Sequence, residues 1–130
     1  MKLALILLLA SYASAQEGHP LVGSWHGSWG TSPTQQTDAT FVLKWDGKEI
    51  SGLINPGLEV IKITKASLDA PTWTVHFEGE TKDATGKPVH IEVDGKIEHV
   101  TNVRRRIVGT WSQSTAQGTT KAALKMTHDD

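Results

Sequence analysis

Two short runs carry side chains that could do chemistry together. His76-Phe77-Glu78 and His90-Ile91-Glu92 each place an imidazole and a carboxylate two residues apart. In an extended chain that spacing puts both groups on one face. If the chain reverses near Ala84, His76 faces Glu92 and Glu78 faces His90, within cross-strand reach. Imidazole nitrogen and carboxylate oxygen are ordinary zinc ligands, so His76, Glu78, His90 and Glu92 form a candidate metal site. Such a site also needs groups that orient its ligands. His99 and the Thr127-His128-Asp129-Asp130 tail qualify only by composition. Polar pairing on the wet side of a sheet is the simpler account of the same four residues.

The second set is aromatic. Trp25, Trp29, Trp45, Trp73 and Trp111 each fall on the apolar phase of an alternating run. Gathered at one end of a sheet or barrel, they would line a site for a small hydrophobic molecule. Gly27, Gly52, Gly95 and Gly109 fall on the same phase. They either leave space beside the indoles or mark bends where a barrel turns its corner, and the second reading is favoured.

The elements that must position these residues read as strands throughout. Val22–Trp29, Thr40–Trp45, Glu49–Ile54, Val60–Lys65 and Thr72–Glu80 alternate with period two. Pro88–Glu98 continues that phase as one long strand, passing through Asp94-Gly95 without a slip. Strands around Ile107–Trp111 and Ala122–Met126 end the chain. Asp46-Gly47, Asn55-Pro56-Gly57, Asp69-Ala70-Pro71, Lys82–Lys87 and Gln117-Gly118 are turn signals. The inner face then runs from Trp25 and Phe41 through Val75, Phe77, Ile91 and Val93 to Ile107, Leu124 and Met126. No helical periodicity appears after the first fifteen residues. Eight evenly spaced strands predict an all-β fold, an antiparallel up-and-down barrel, with a two-sheet sandwich as the structural alternative.

Gly23-Ser24-Trp25, followed by a second Gly-Ser-Trp, resembles the opening strand of the calycins, the lipocalin and avidin-like barrels. Gly109-Thr110-Trp111 is similar to a late strand of the avidin pattern. The resemblance covers residues 16–130 and is closest to small secreted bacterial barrels of that kind. It implies an eight-stranded barrel with a ligand-binding habit. It also implies that Trp25 packs against a late basic residue, one of Arg104, Arg105 or Arg106. Avidin-like biotin sites need several inward polar groups, which this inner face lacks, so the resemblance does not extend to biotin.

Composition bounds the remaining functions. Met1-Lys2, the apolar run Leu3–Ala10 and Ala13-Ser14-Ala15 read as a secretory signal over residues 1–15, cut before Gln16. The apolar run is too short to span a bilayer, which takes about 20 residues. The expected location is therefore the periplasm or the external medium, with no membrane insertion. Residues 16–130 then form one domain, with 12 cationic against 14 acidic side chains once Lys2 is removed. Near-neutral charge gives no pull towards nucleic acid, and Arg104-Arg105-Arg106 reads as a solvated strand end. There are no cysteines, so the core must be well filled without disulfides.

No catalytic signature is present. There is no nucleophile elbow, no His-Glu-x-x-His helix, no phosphate-cradling loop and no cofactor fingerprint. The expectation is an exported, non-enzymatic barrel without cofactor, holding a small hydrophobic ligand at its mouth. Two alternatives stand beside it. One is a filled barrel acting through its outer surface, and the other is a metal-binding protein using the His/Glu patch.

Overall fold

The alternation in the sequence becomes eight strands: β1 Gly23–Ser32, β2 Gln35–Trp45, β3 Ile50–Ile54, β4 Ile61–Asp69, β5 Thr74–Lys82, β6 Pro88–Glu98, β7 Arg106–Thr115 and β8 Gly118–His128. The computed structural model describes residues 19–55, 60–99 and 104–129. The expected export segment 1–15 and the turn residues Pro56 and Gly57 lie outside them. Each strand pairs antiparallel with the next, and β1 pairs with β8 from Trp25↔His128 to Gly30↔Ala123. The order β1 to β8 is a closed up-and-down barrel, not a sandwich. No helix of the described residues is long and apolar enough to cross a membrane.

Period two puts the apolar phase inside. Trp25, Phe41, Leu43, Ile54, Val75, Phe77, Ile91, Val93, Ile107, Trp111, Leu124 and Met126 are buried together. Phe41 and Phe77 meet edge to face with centroids 5.6 Å apart. No polar or charged residue is buried among the described residues. Each glycine on the inner phase (Gly27, Gly52, Gly95, Gly109) is a close approach and not a vacancy. A Cβ added at any of them would lie 1.9 to 2.7 Å from a main-chain oxygen of the neighbouring strand. The barrel middle is therefore filled, and the favoured reading of the glycines holds.

One seam is short. β3 and β4 pair only at Leu53↔Lys62 and Ile54↔Ile61, and β4 carries an irregularity between Ile63 and Lys65. Beyond it the strands diverge and leave a cleft of about 500 Å³ that reaches Trp45, Ile50, Leu68 and Trp73. Trp73 does not begin a strand, as its alternation predicts. Its φ of 53° is left-handed, and β5 starts at Thr74. That conformation completes a tight turn in which Trp73 N–H donates to Ala70 C=O at 3.2 Å.

The end of the barrel near Gly23 is capped by the segment before β1. Leu21 is fully buried, and its carbonyl accepts from Trp25 Nε1 at 2.9 Å. Arg105 Nη1 donates to Pro20 C=O at 2.9 Å. Trp25 and Arg105 thus hold adjacent residues of one cap, while the ring packed edge-on against Trp25 is His128. Arg105 is a tether of this cap and not a purely solvated strand end. Leu21 N–H donates to His19 Nδ1 at 3.1 Å, and the His19 ring lies 5.0 Å from Trp45.

Burial holds the His19 pKa below the ordinary imidazole value. Only a neutral ring can accept from Leu21 N–H. The unfolded chain therefore binds this proton more readily than the folded one, and stability rises with pH. His19's contribution is complete above the ordinary imidazole pKa and is lost as pH falls through the lowered folded value. Thermal unfolding of wild type and His19→Ala at about pH 7.5 and about pH 5 should show wild type's advantage shrinking at the lower pH. An advantage that grows on acidification would contradict this cap.

Candidate functional site

The outward phase of β5 and β6 carries a local repeat. Residues 76–80 read His-Phe-Glu-Gly-Glu and residues 90–94 read His-Ile-Glu-Val-Asp. The register is His76↔Asp94, Glu78↔Glu92 and Glu80↔His90. It differs by two residues from the pairing expected for a turn at Ala84, so Glu78 does not face His90 and His76 does not face Glu92. The cause is the loop. Asp83 Oδ1 accepts from the N–H groups of Thr85 and Lys87 and from Thr85 Oγ1, and Gly86 takes φ 84°. That anchored five-residue loop centres the hairpin on Thr85. A shift of two keeps every side chain on its predicted face.

This register gives the six residues a local twofold about an axis between Glu78 and Glu92. Each residue of 76–80 maps onto the one fourteen positions later. The hydrogen bonds follow the symmetry. His76 Nδ1 meets Asp94 Oδ1 at 2.5 Å, and its Nε2 meets Glu78 Oε2 at 2.9 Å. His90 Nδ1 meets Glu80, and its Nε2 meets Glu92 Oε1 at 3.3 Å. His90 Nε2 also lies 3.3 Å from Glu78 Oε1. The structure thus brings His76, Glu78, His90 and Glu92 together and adds Glu80 and Asp94 as outer partners. The fourteen-residue repeat is the sequence signal for those two.

The electrostatics follow from the contacts. The Asp94 carboxylate, then Glu78, raise the His76 pKa above the usual imidazole range. Glu80 first, with Glu92 adding to it, does the same for His90. The bond from His76 lowers the Glu78 pKa. Lys65 and Lys62 stand opposite Glu78 and Glu80 on β4, and Ser112 and Ser114 stand opposite Glu92 and His90 on β7.

The five tryptophans are divided among three places. Trp25 is in the capped end. Trp45 and Trp73 line the seam cleft. Trp29 and Trp111 stack at the opposite, open mouth, with centroids 4.9 Å apart and planes 4° from parallel. There they line a cleft of about 660 Å³ with Thr37, Asn55, Ile61, Lys82 and Gln113. Trp111 Nε1 donates to Gln113 Oε1 at 3.0 Å. Trp29 Nε1 is buried and has no protein acceptor. Asn55 is fixed at this rim by two bonds to the Thr40 backbone, its N–H to Thr40 C=O and Thr40 N–H to its Oδ1. His26 points outward, as its phase requires, and pairs with Asp129.

The paired carboxylates make a direct prediction for NMR titration in the presence of EDTA. Both His76 and His90 should titrate above the ordinary imidazole value of about 6.5. Asp94→Asn should lower the His76 midpoint more than that of His90, and Glu80→Gln should do the reverse. Midpoints at or below the ordinary value in wild type would mean that these contacts do not persist in solution.

No protein-family model matches this chain, and no curated protein or solved structure matches it significantly.

Proposed function

We propose that this chain is an exported, calycin-like, non-enzymatic binding module that takes one small amphipathic molecule at the open mouth. The observation that carries the reading is Trp29. Its indole stacks on Trp111 at the rim of the cleft, with a buried N–H that no protein group accepts. Buried polar groups are nearly always paired, so in this reading the Trp29 ring turns towards the cleft and donates to an acceptor of the bound molecule. An apolar surface with a few fixed polar groups is the usual composition of a ligand site. Here the apolar part is Trp29, Trp111 and Ile61, and the polar part is Asn55, Gln113 and Lys82. The matching ligand has a flat apolar body and at least one hydrogen-bond acceptor. The filled middle of the barrel limits its depth to the mouth.

The outward phase is polar on most strands, the reverse of the apolar outer band of a membrane-spanning barrel. The calycin part rests on the closed eight-stranded topology and the Gly-x-Trp opening of β1. Fold alone does not name a ligand.

The test is fluorescence titration with 1-anilinonaphthalene-8-sulfonate, which joins a flat apolar ring to an acceptor group. Saturable binding at one site is expected, weakened about tenfold by Trp29→Phe through loss of the N–H, which corresponds to about 1.4 kcal/mol. Trp73→Phe, in the seam cleft, should leave it unchanged. Absence of saturable binding, or equal weakening by the two variants, would shift the reading to a filled barrel that acts through its outer surface.

A further inference from the structure

Glu78 and Glu92 stand directly opposite one another on β5 and β6. Like charges in that position destabilise a sheet. Lys65 reaches Glu78 from β4, and Lys62 stands opposite Glu80, but both approach from the β4 side. The groups that flank the glutamate pair on the β5–β6 ladder are the two imidazole Nε2 atoms.

Each imidazole has its Nδ1 engaged by an outer carboxylate, His76 by Asp94 and His90 by Glu80. A carboxylate accepts, so each Nδ1 is the protonated nitrogen. In the neutral ring, Nε2 then presents a lone pair to the inner glutamate oxygens. Two species make that arrangement favourable: an imidazolium at each position, or a cation held jointly by nitrogen and oxygen. A histidine whose second nitrogen donates to a carboxylate is the orientation found at protein metal sites. Here it occurs twice, related by the local twofold.

The same distances that serve as hydrogen bonds in the first species also admit the second. A tetrahedral zinc ion with bonds of about 2.0–2.1 Å sets its ligand atoms about 3.3 Å apart. His90 Nε2 lies 3.3 Å from Glu78 Oε1 and 3.3 Å from Glu92 Oε1. His76 Nε2 lies 2.9 Å from Glu78 Oε2. Ligand atoms of His76, Glu78 and Glu92 all fall within 4.8 Å of one another, and His90 lies outside that group. Mixed nitrogen and oxygen donors suit zinc, whereas calcium and magnesium take oxygen alone.

We propose that His76, Glu78 and Glu92 bind one divalent cation of the zinc class, with Asp94 as the outer carboxylate that orients the His76 imidazole and His90, against the same two glutamates, as a fourth donor drawn in when the ion binds. The ion joins β5 to β6 on the outside of the barrel and replaces the repulsion between the glutamates with shared coordination. This site is separate from the mouth and does not depend on the reading of the mouth.

The experiment is calorimetric titration of the full chain, purified without a histidine tag, with zinc chloride, and in parallel thermal unfolding in zinc or EDTA. Saturable binding of one ion per chain is expected, with a rise in Tm that EDTA reverses. Glu78→Gln and His76→Gln should abolish both, and Asp94→Asn should weaken binding about tenfold or more. His26→Gln, at the other histidine–aspartate pair, should leave binding intact. Circular dichroism of each variant establishes that the barrel is folded. The proposal is overturned if zinc gives no saturable heat, or if Glu78→Gln binds as wild type does. It is equally overturned if His26→Gln removes the site, or if calcium binds as tightly as zinc.

Discussion

The structure depends on the close approach of neighbouring backbones at the glycines of the inner phase. Closing eight strands into a barrel requires the sheet to coil and the strands to tilt. A side chain at the tightest points would hold adjacent strands apart. At Gly27 a Cβ would meet Lys125 C=O at 1.9 Å, and at Gly109 it would meet Asp94 C=O at 2.0 Å. Gly95 and Gly109 are direct cross-strand partners, so β6 and β7 pinch together there. Gly27 allows the same on the closing seam, where it pairs with Met126 of β8. Closure at that seam brings His128 beside Trp25 and within 2.8 Å of Val22 C=O, which ties the end of β8 to the cap.

Tight closure has a functional consequence. The interior is consumed by its own side chains, so binding chemistry is confined to the ends and the outer face. One end is filled by Leu21 and sealed by Trp25, Arg105 and His19. The other keeps Trp29 and Trp111 at its rim. On the outer face two imidazoles and four carboxylates gather on β5 and β6, because these strands carry the same His-x-Glu-x-acid pattern and an antiparallel ladder superposes the two copies about a twofold. A parallel pairing would have placed the two histidines side by side instead.

Much of the fold is legible in the sequence, and the exceptions have specific causes. Strict alternation through Val75, Phe77, Ile91 and Val93 marks which side chains are inside, and its passage through Asp94-Gly95 correctly makes β6 one strand. The Gln35–Asp38 part of β2 escapes detection because its side chains are polar on both faces and leave no periodic signal. Trp73 reads as a strand residue because periodicity is blind to a left-handed φ. The hairpin register departs from expectation by two residues because it depends on how many backbone groups Asp83 captures, and spacing alone does not reveal that. The tryptophans share an inner phase, yet phase says nothing of height along the barrel axis, and height separates Trp29 and Trp111 from Trp45 and Trp73.

The most direct test of the close-packed closure is the unfolding free energy of Gly109→Ala, measured by urea denaturation. In an ordinary extended strand this change stabilises by about 0.4–1 kcal/mol, through reduced freedom of the unfolded chain. Tight closure predicts the opposite sign: a loss of about 3 kcal/mol, or failure to fold, because the added methyl meets main chain on β6 that cannot give way. A neutral or stabilising result would contradict the tight closure, and with it the filled interior on which the proposed sites at the mouth and the outer face rest.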